Sequence, residues 1–201
     1  FIFGNLFGFG FFLSNIFWIT NSLTFDENFK ILIPFALILI PLFLSLFFGA
    51  VTFFVGPYLN FNLSSVLILS GSLAFSDFVR AKILSGFPWN LWAYSFSWAT
   101  EILQILNNIG LFAFNLLIIT LFVYPVVILF NISLKQKLIH LTNLIFIFLI
   151  LFIYGNYSIN QNKIKLKNIE NKINVKVISP GFDLNYNESI EKIELKLNQL
   201  I

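Results

Sequence analysis

The 201-residue chain contains no cysteine and no methionine, a single histidine, and charged residues at only 10% of positions. Each shortage excludes something. Without cysteine there is no disulfide, no thiolate metal site and no cysteine nucleophile within these residues. One histidine gives no basis for a histidine-based metal centre, and nothing in the composition calls for a cofactor. Without methionine residue 1 is not a natural start, and the chain opens inside an apolar run and stops inside a helix-like pattern. Both point to an internal stretch of a longer protein. A net charge of +3, thinly dispersed, does not provide the basic surface that nucleic acid requires.

What is present in quantity is apolar. Hydrophobic residues make up 58% of the chain, against a charged fraction well below the ~25% of a soluble domain. The class that follows is an integral membrane protein. The fold expected is mainly α: a polytopic bundle of five spans, followed by the opening strand–helix unit of a truncated α/β domain. The 28 phenylalanines and many Ile, Asn and Lys suggest an AT-rich genome, so a single Phe carries little weight.

Five runs approach the roughly 20 residues that cross a bilayer. Phe1 to Leu23 carries Gly4, Gly8 and Gly10, spaced for close helix contact. Ile31 to Val55 contains Pro34 and Pro41, which would kink it, and Gly56-Pro57-Tyr58 ends it. Leu63 to Leu84 closes with Asp77, Arg80 and Lys82. The fourth span lies within Glu101 to Phe130, from about Ile105. The fifth, Leu141 to Tyr154, starts near Leu138.

At Gly155 the composition changes: seven of the twelve basic residues lie between Asn156 and Ile201. Residues 1–155 are read as the membrane domain, 156–172 as a linker and 173–201 as the start of a further, incomplete domain. Ile173 to Val177 alternates as a strand does. Ser179-Pro180-Gly181 breaks it. Ile190, Ile193, Leu197 and Leu200 then recur at helical spacing as core positions, with Asn185 or Asn187 as N-cap.

The chain is organised around Asp77-Phe78-Val79-Arg80 and the helix-breaking loop Ser85-Gly86-Phe87-Pro88-Trp89. Asp77 and Arg80 stand three apart, share a helix face and can neutralise each other. Trp89, Trp92, Tyr94 and Trp98 suit the membrane–water boundary, so the loop belongs at one face of the bilayer, with Trp92 and Tyr94 as belt residues. Glu101 and His140 are expected in the solvated interface. Lys135 and Lys137, with no acid nearby, favour a cytoplasmic connection between spans four and five. The acidic turn at Asp26 and Glu27, the Trp89 loop and the soluble region then face outward together.

The run from Asp77 through Arg80 to Gly86-Phe87-Pro88-Trp89, followed by Ala93-Tyr94-Ser95, resembles the signature of bacterial apolipoprotein N-acyltransferases. The pattern there is Glu-x-x-Arg, a short spacer, Gly-Phe-Pro-Trp and Gly-Tyr-Ser. Here Asp77 replaces the Glu, Ala93 the Gly, and Leu73 a common Trp. Three further stretches are similar to the family's: Gly8 through Trp18-Ile19, Gln104 through Ile109-Gly110 to Asn115-Leu116, and Val175 to Pro180, which resembles the first strand of its nitrilase-like domain. The resemblance implies a multi-pass enzyme of the cytoplasmic membrane, acting as a monomer, with its nitrilase-like domain in the periplasm. It implies a phospholipid as acyl donor, a cysteine thioester intermediate and a diacylated apolipoprotein as acceptor, with membrane lipid around it. The catalytic Glu, Lys and Cys would lie beyond this stretch, which would be inactive alone. Arg80, Gly86, Phe87, Pro88, Trp89 and Tyr94 become candidates for the lipid path. A non-catalytic membrane anchor and a transporter subunit are the competing readings; broken helices suit the transporter, but the spans hold few ionisable groups.

Overall fold

A computed structural model describes residues 1–83, 88–167 and 189–198. It divides into two compact units, residues 1–162 and 163–201.

The first unit is a helical bundle, and five of its helices are long and apolar enough to cross a membrane. Helix α1 (Ile2–Ile16) runs on as a 3₁₀ segment, Phe17–Thr24. An exposed turn follows, in which Asp26 caps Glu27–Leu32 through the Asn28 N–H and Lys30 meets Glu27 at 2.6 Å. Helix α2 (Ile33–Val55) comes next. Pro34 falls in its first turn, where no intrahelical N–H is needed, whereas Pro41 lies inside it and is buried. Gly56–Tyr58 ends it. Asn62 caps α3 (Leu63–Lys82) by accepting from the Ser65 N–H at 2.9 Å.

Helices α1 and α2 pack closely because two glycines allow it. A Cβ on Gly4 would come within 2.6 Å of the Phe48 carbonyl, and one on Gly8 within 3.0 Å of the Ser45 Cα. Lipid tails are as apolar as leucine, so helices in a bilayer gain from close van der Waals contact rather than from leaving water. Gly10, by contrast, faces open space.

After the loop come a single turn, α4 (Thr100–Leu103), and α5 (Leu106–Val123). Gly110 interrupts α5 with φ +77°, a conformation that glycine adopts at little cost. The 3₁₀ segment Tyr124–Leu129 carries the chain to α6 (Leu134–Lys167).

Helix α6 runs on well past the fifth span read from the sequence. The break in composition at Gly155 does not end the helix, and the stretch taken as a linker, 156–172, is helical as far as Lys167. At 34 residues α6 is about 50 Å long, well beyond the ~30 Å apolar core of a bilayer. Polarity ends the span; it does not end the helix, because Lys, Gln and Leu remain good helix formers. Gly155 itself is a contact point: a Cβ there would collide with the Glu101 backbone. His140 is not simply solvated either. Half-buried, it meets the Tyr124 hydroxyl at 2.7 Å. Further along α6, Asn108 donates to the Tyr154 hydroxyl.

In the second unit the described element is α7 (Ile190–Asn198), at the expected helical stretch. Ile190 and Ile193, read as core positions, are exposed. The expected strand at 173–177 and the caps Asn185 and Asn187 lie outside the described residues; among the described residues there is no strand.

Candidate functional site

The site is built on the last turns of α3. Helical spacing sets Asp77 and Arg80 side by side, and Arg80 Nη2 donates to Asp77 Oδ1 at 2.9 Å. The expected pair is therefore formed, but inside the bundle: Asp77 is 4% and Arg80 2% exposed. Neither is a surface anchor. A charge in an apolar interior is tolerated only when its hydrogen-bonding capacity is met. Arg80 Nη1 donates to the Trp89 carbonyl at 2.8 Å, and the guanidinium lies 5.2 Å from the centre of the buried Phe12 ring on α1. The second carboxylate oxygen, Asp77 Oδ2, accepts from Asn115 Nδ2 on α5 at 2.9 Å. The same amide turns its oxygen to the chain after Trp89, where the Ala93 N–H donates to Asn115 Oδ1 at 3.0 Å.

These contacts form one connected system. Trp89 O, Arg80, Asp77, Asn115 and Ala93 N follow one another without a gap, so the loop is held at both ends of residues 89–93 by α3 and α5. Asn90, between the clamps, takes the left-handed conformation at φ +57°, which asparagine accepts more readily than most residues.

The clamped segment continues inward. Trp92–Phe96 is a 3₁₀ helix, and the i→i+3 bonds Tyr94 N to Leu91 O, Ser97 N to Tyr94 O and Ala99 N to Phe96 O extend that geometry on both sides. At three residues per turn, every third side chain falls on one face. Ala93, Phe96, Ala99 and Ile102 are buried on that face and, with Leu91 just before them, pack with Phe114, Ile118 and Leu151. Small alanines let the backbone approach. Trp92, half-buried, turns toward α1: it stacks on Phe11 at 5.2 Å and on Phe7 at 6.3 Å. The rings left outward are Trp89 and Tyr94, each 43% exposed, and Trp98, at 79%. Trp89 stacks on Trp18, at a centroid distance of 5.1 Å, and so ties the loop to the end of α1.

Of the lipid-path candidates, Arg80 and Trp89 come together directly, with Pro88 half-buried beside them. Tyr94 stands apart from the polar system, exposed. Gly86 and Phe87 lie outside the described residues. Arg80 also lines one end of an apolar groove of about 330 Å³ between α2 and α3. Sequence reasoning missed Asn115, the Ala93 amide and Phe12. A signal for Asn115 existed: it is the one amide within the run Leu111 to Val123, and a polar group there needs a partner. Among the described residues no cluster of His, Cys, Asp or Glu could hold a metal ion.

The N-terminal domain of apolipoprotein N-acyltransferase, as a family model, matches residues 1–124. That span takes in α1 to α5 and the whole polar system. Among similar proteins, the apolipoprotein N-acyltransferase of Rickettsia prowazekii is 30% identical over 185 residues, which cover 89% of this chain and 35% of that protein. The Rickettsia bellii protein of the same name is 36% identical over 122 residues, covering 58% of this chain and 23% of the relative. That of Brucella suis is 32% identical over 120 residues, covering 59% and 23%. The chain thus spans about a third of the length of the first of these relatives. No solved structure matches it. With more than half of its residues accounted for by one domain model, this multi-pass membrane chain belongs to the apolipoprotein N-acyltransferase family.

Proposed function

We propose that the protein containing this chain moves an acyl chain from a phospholipid to the N-terminus of a diacylated apolipoprotein. A cysteine thiolate attacks the phospholipid ester carbonyl; the C–O bond breaks and a lysophospholipid leaves. The α-amino group of the S-diacylglyceryl-cysteine then attacks the thioester, the C–S bond breaks, and the thiolate is regenerated as an amide forms. A general base takes the amine's proton. This reading requires the cysteine, the basic Glu and an oxyanion-stabilising Lys outside these 201 residues, which contain no cysteine. The observation that carries it is the family match across residues 1–124, loop included.

In this reading residues 1–155 are the membrane domain and 173–201 begin a nitrilase-like domain. Arg80, Gly86, Phe87, Pro88, Trp89 and Tyr94 shape the path by which the donor lipid reaches the thiol. The protein sits in the cytoplasmic membrane as a monomer. Lys135 and Lys137 face the cytoplasm and the Trp89 loop the periplasm, in keeping with the positive-inside rule.

The test is to express the complete gene product in membranes that lack N-acylation and to weigh a diacylated lipoprotein by mass spectrometry. A gain of one acyl chain, abolished when the nucleophilic cysteine is replaced by alanine, is the expected result. No gain from a well-folded product would overturn the reading in favour of a non-catalytic anchor.

A further inference from the structure

We infer that Asn115 is a positioning residue for the acyl-donor path, acting through the Trp89–Ala93 segment; the inference rests on the acyltransferase reading above. Its amide joins α5 both to the charged pair of α3 and to the loop. Nδ2 donates to Asp77 Oδ2 and Oδ1 accepts from the Ala93 N–H. The polarity of this amide is dictated by its neighbours, since an ionised carboxylate only accepts and a backbone N–H only donates. Asn115 is 0% exposed, so both bonds form without competition from water.

No other side chain meets these two demands at this length. Leucine fills the space and satisfies neither partner. Aspartate can accept from Ala93 but turns a second carboxylate on Asp77. The consequence reaches the surface through two aromatic stacks. With residues 89 and 93 both held, Trp89 is set against Trp18 and Trp92 against Phe11. Release of the Ala93 end removes one of the two clamps on the segment and leaves the Arg80 bond to the Trp89 carbonyl as the other. The exposed rings of Trp89 and Tyr94 then lose their fixed spacing. Asn115 itself, wholly buried, touches no lipid in this arrangement.

The experiment separates the two half-reactions of the complete protein in phospholipid nanodiscs. Thioester formation is followed with a fluorescent phospholipid, and transfer from the preformed thioester with a diacylated lipopeptide. Asn115→Leu is expected to slow thioester formation about tenfold, or ~1.4 kcal/mol, with transfer unchanged. A residue that only holds the fold would lower both in proportion to the folded fraction. Equal losses, or none, in an active protein would overturn the inference and leave the acyltransferase reading intact. Absence of thioester in the unaltered protein would sink that reading itself.

Should Asn115→Leu fail to fold, a swap keeps the question open to decision. Asn115→Asp alone sets two carboxylates face to face and is expected to lose thioester formation. Asp77→Asn combined with Asn115→Asp restores one carboxylate, one amide and every hydrogen bond of the chain, and is expected to recover most of it. A folded double variant no better than Asn115→Asp would contradict the proposal.

Discussion

Two junctions hold this bundle together in opposite ways. The α1–α2 junction is apolar and close: Gly4 and Gly8 bring one helix onto the backbone of Phe48 and Ser45. The junction of α3, the Trp89 loop and α5 is polar: a buried ion pair, a buried amide and two backbone groups, of which the Trp89 carbonyl is part-buried. In a bilayer neither can rely on expulsion of water. The first gains from many weak contacts and needs no particular chemistry beyond smallness. The second depends on a few directional bonds and weakens when any one partner is left alone. Regular helices suit the first device. An irregular loop, whose buried backbone groups have no helical partners, requires the second.

The contrast is sharpest when one half of the ion pair is removed. Arg80→Leu strands the Asp77 carboxylate and frees the Trp89 carbonyl, and is expected to cost about 3–5 kcal/mol. Little monodisperse protein should survive extraction, as read by size-exclusion chromatography. Arg80→Lys should recover part of that loss only, because a single ammonium does not reproduce the planar fork that serves Asp77 and Trp89 at once. Next in size is the apolar junction. Gly8→Leu forces α1 away from α2, at about 1–3 kcal/mol of overpacking. Thermal unfolding in detergent should show it, while the buried bonds among Arg80, Asp77 and Asn115 stay formed.

Both of those positions were legible in the sequence, for a physical reason: each is a local helical spacing, three for the ion pair and four for the glycines. Asn115 was not, since its partners Asp77 and Ala93 lie 38 and 22 residues away. The loop was misread in part for a different reason. Its burial follows a period of three, and neither the helix nor the strand period picks out Ala93, Phe96 and Ala99 together. Residue type marks Trp92 as aromatic but not as a partner of Phe11, onto which the 3₁₀ turn swings it. The five spans were plain from apolar length alone, but the end of α6 was not, because polarity marks where the membrane stops and says little about where the helix does.

Smaller effects sharpen the same contrast. Asn115→Leu should cost only about 1 kcal/mol in global stability, since interhelical hydrogen bonds in membranes are individually modest; unfolding in increasing SDS measures it. At the bottom of the scale, Gly10→Ala and Gly71→Ala place a methyl where nothing lies within 4 Å. Each should be neutral or stabilising by up to ~1 kcal/mol through restored helix propensity. Were either as damaging as Gly8→Leu, glycine itself rather than close approach would be what the bundle needs.

The most direct measurement is hydrogen exchange at the Ala93 amide in the complete protein, with and without Asn115→Leu. If the polar system holds the loop, this amide exchanges slowly in the unaltered protein. It should speed up by at least about tenfold in the variant, ~1.4 kcal/mol, while the amides of α2 do not change. Fast exchange at Ala93 in the unaltered protein, or slow exchange that survives the loss of Asn115, would contradict a loop clamped by that buried amide.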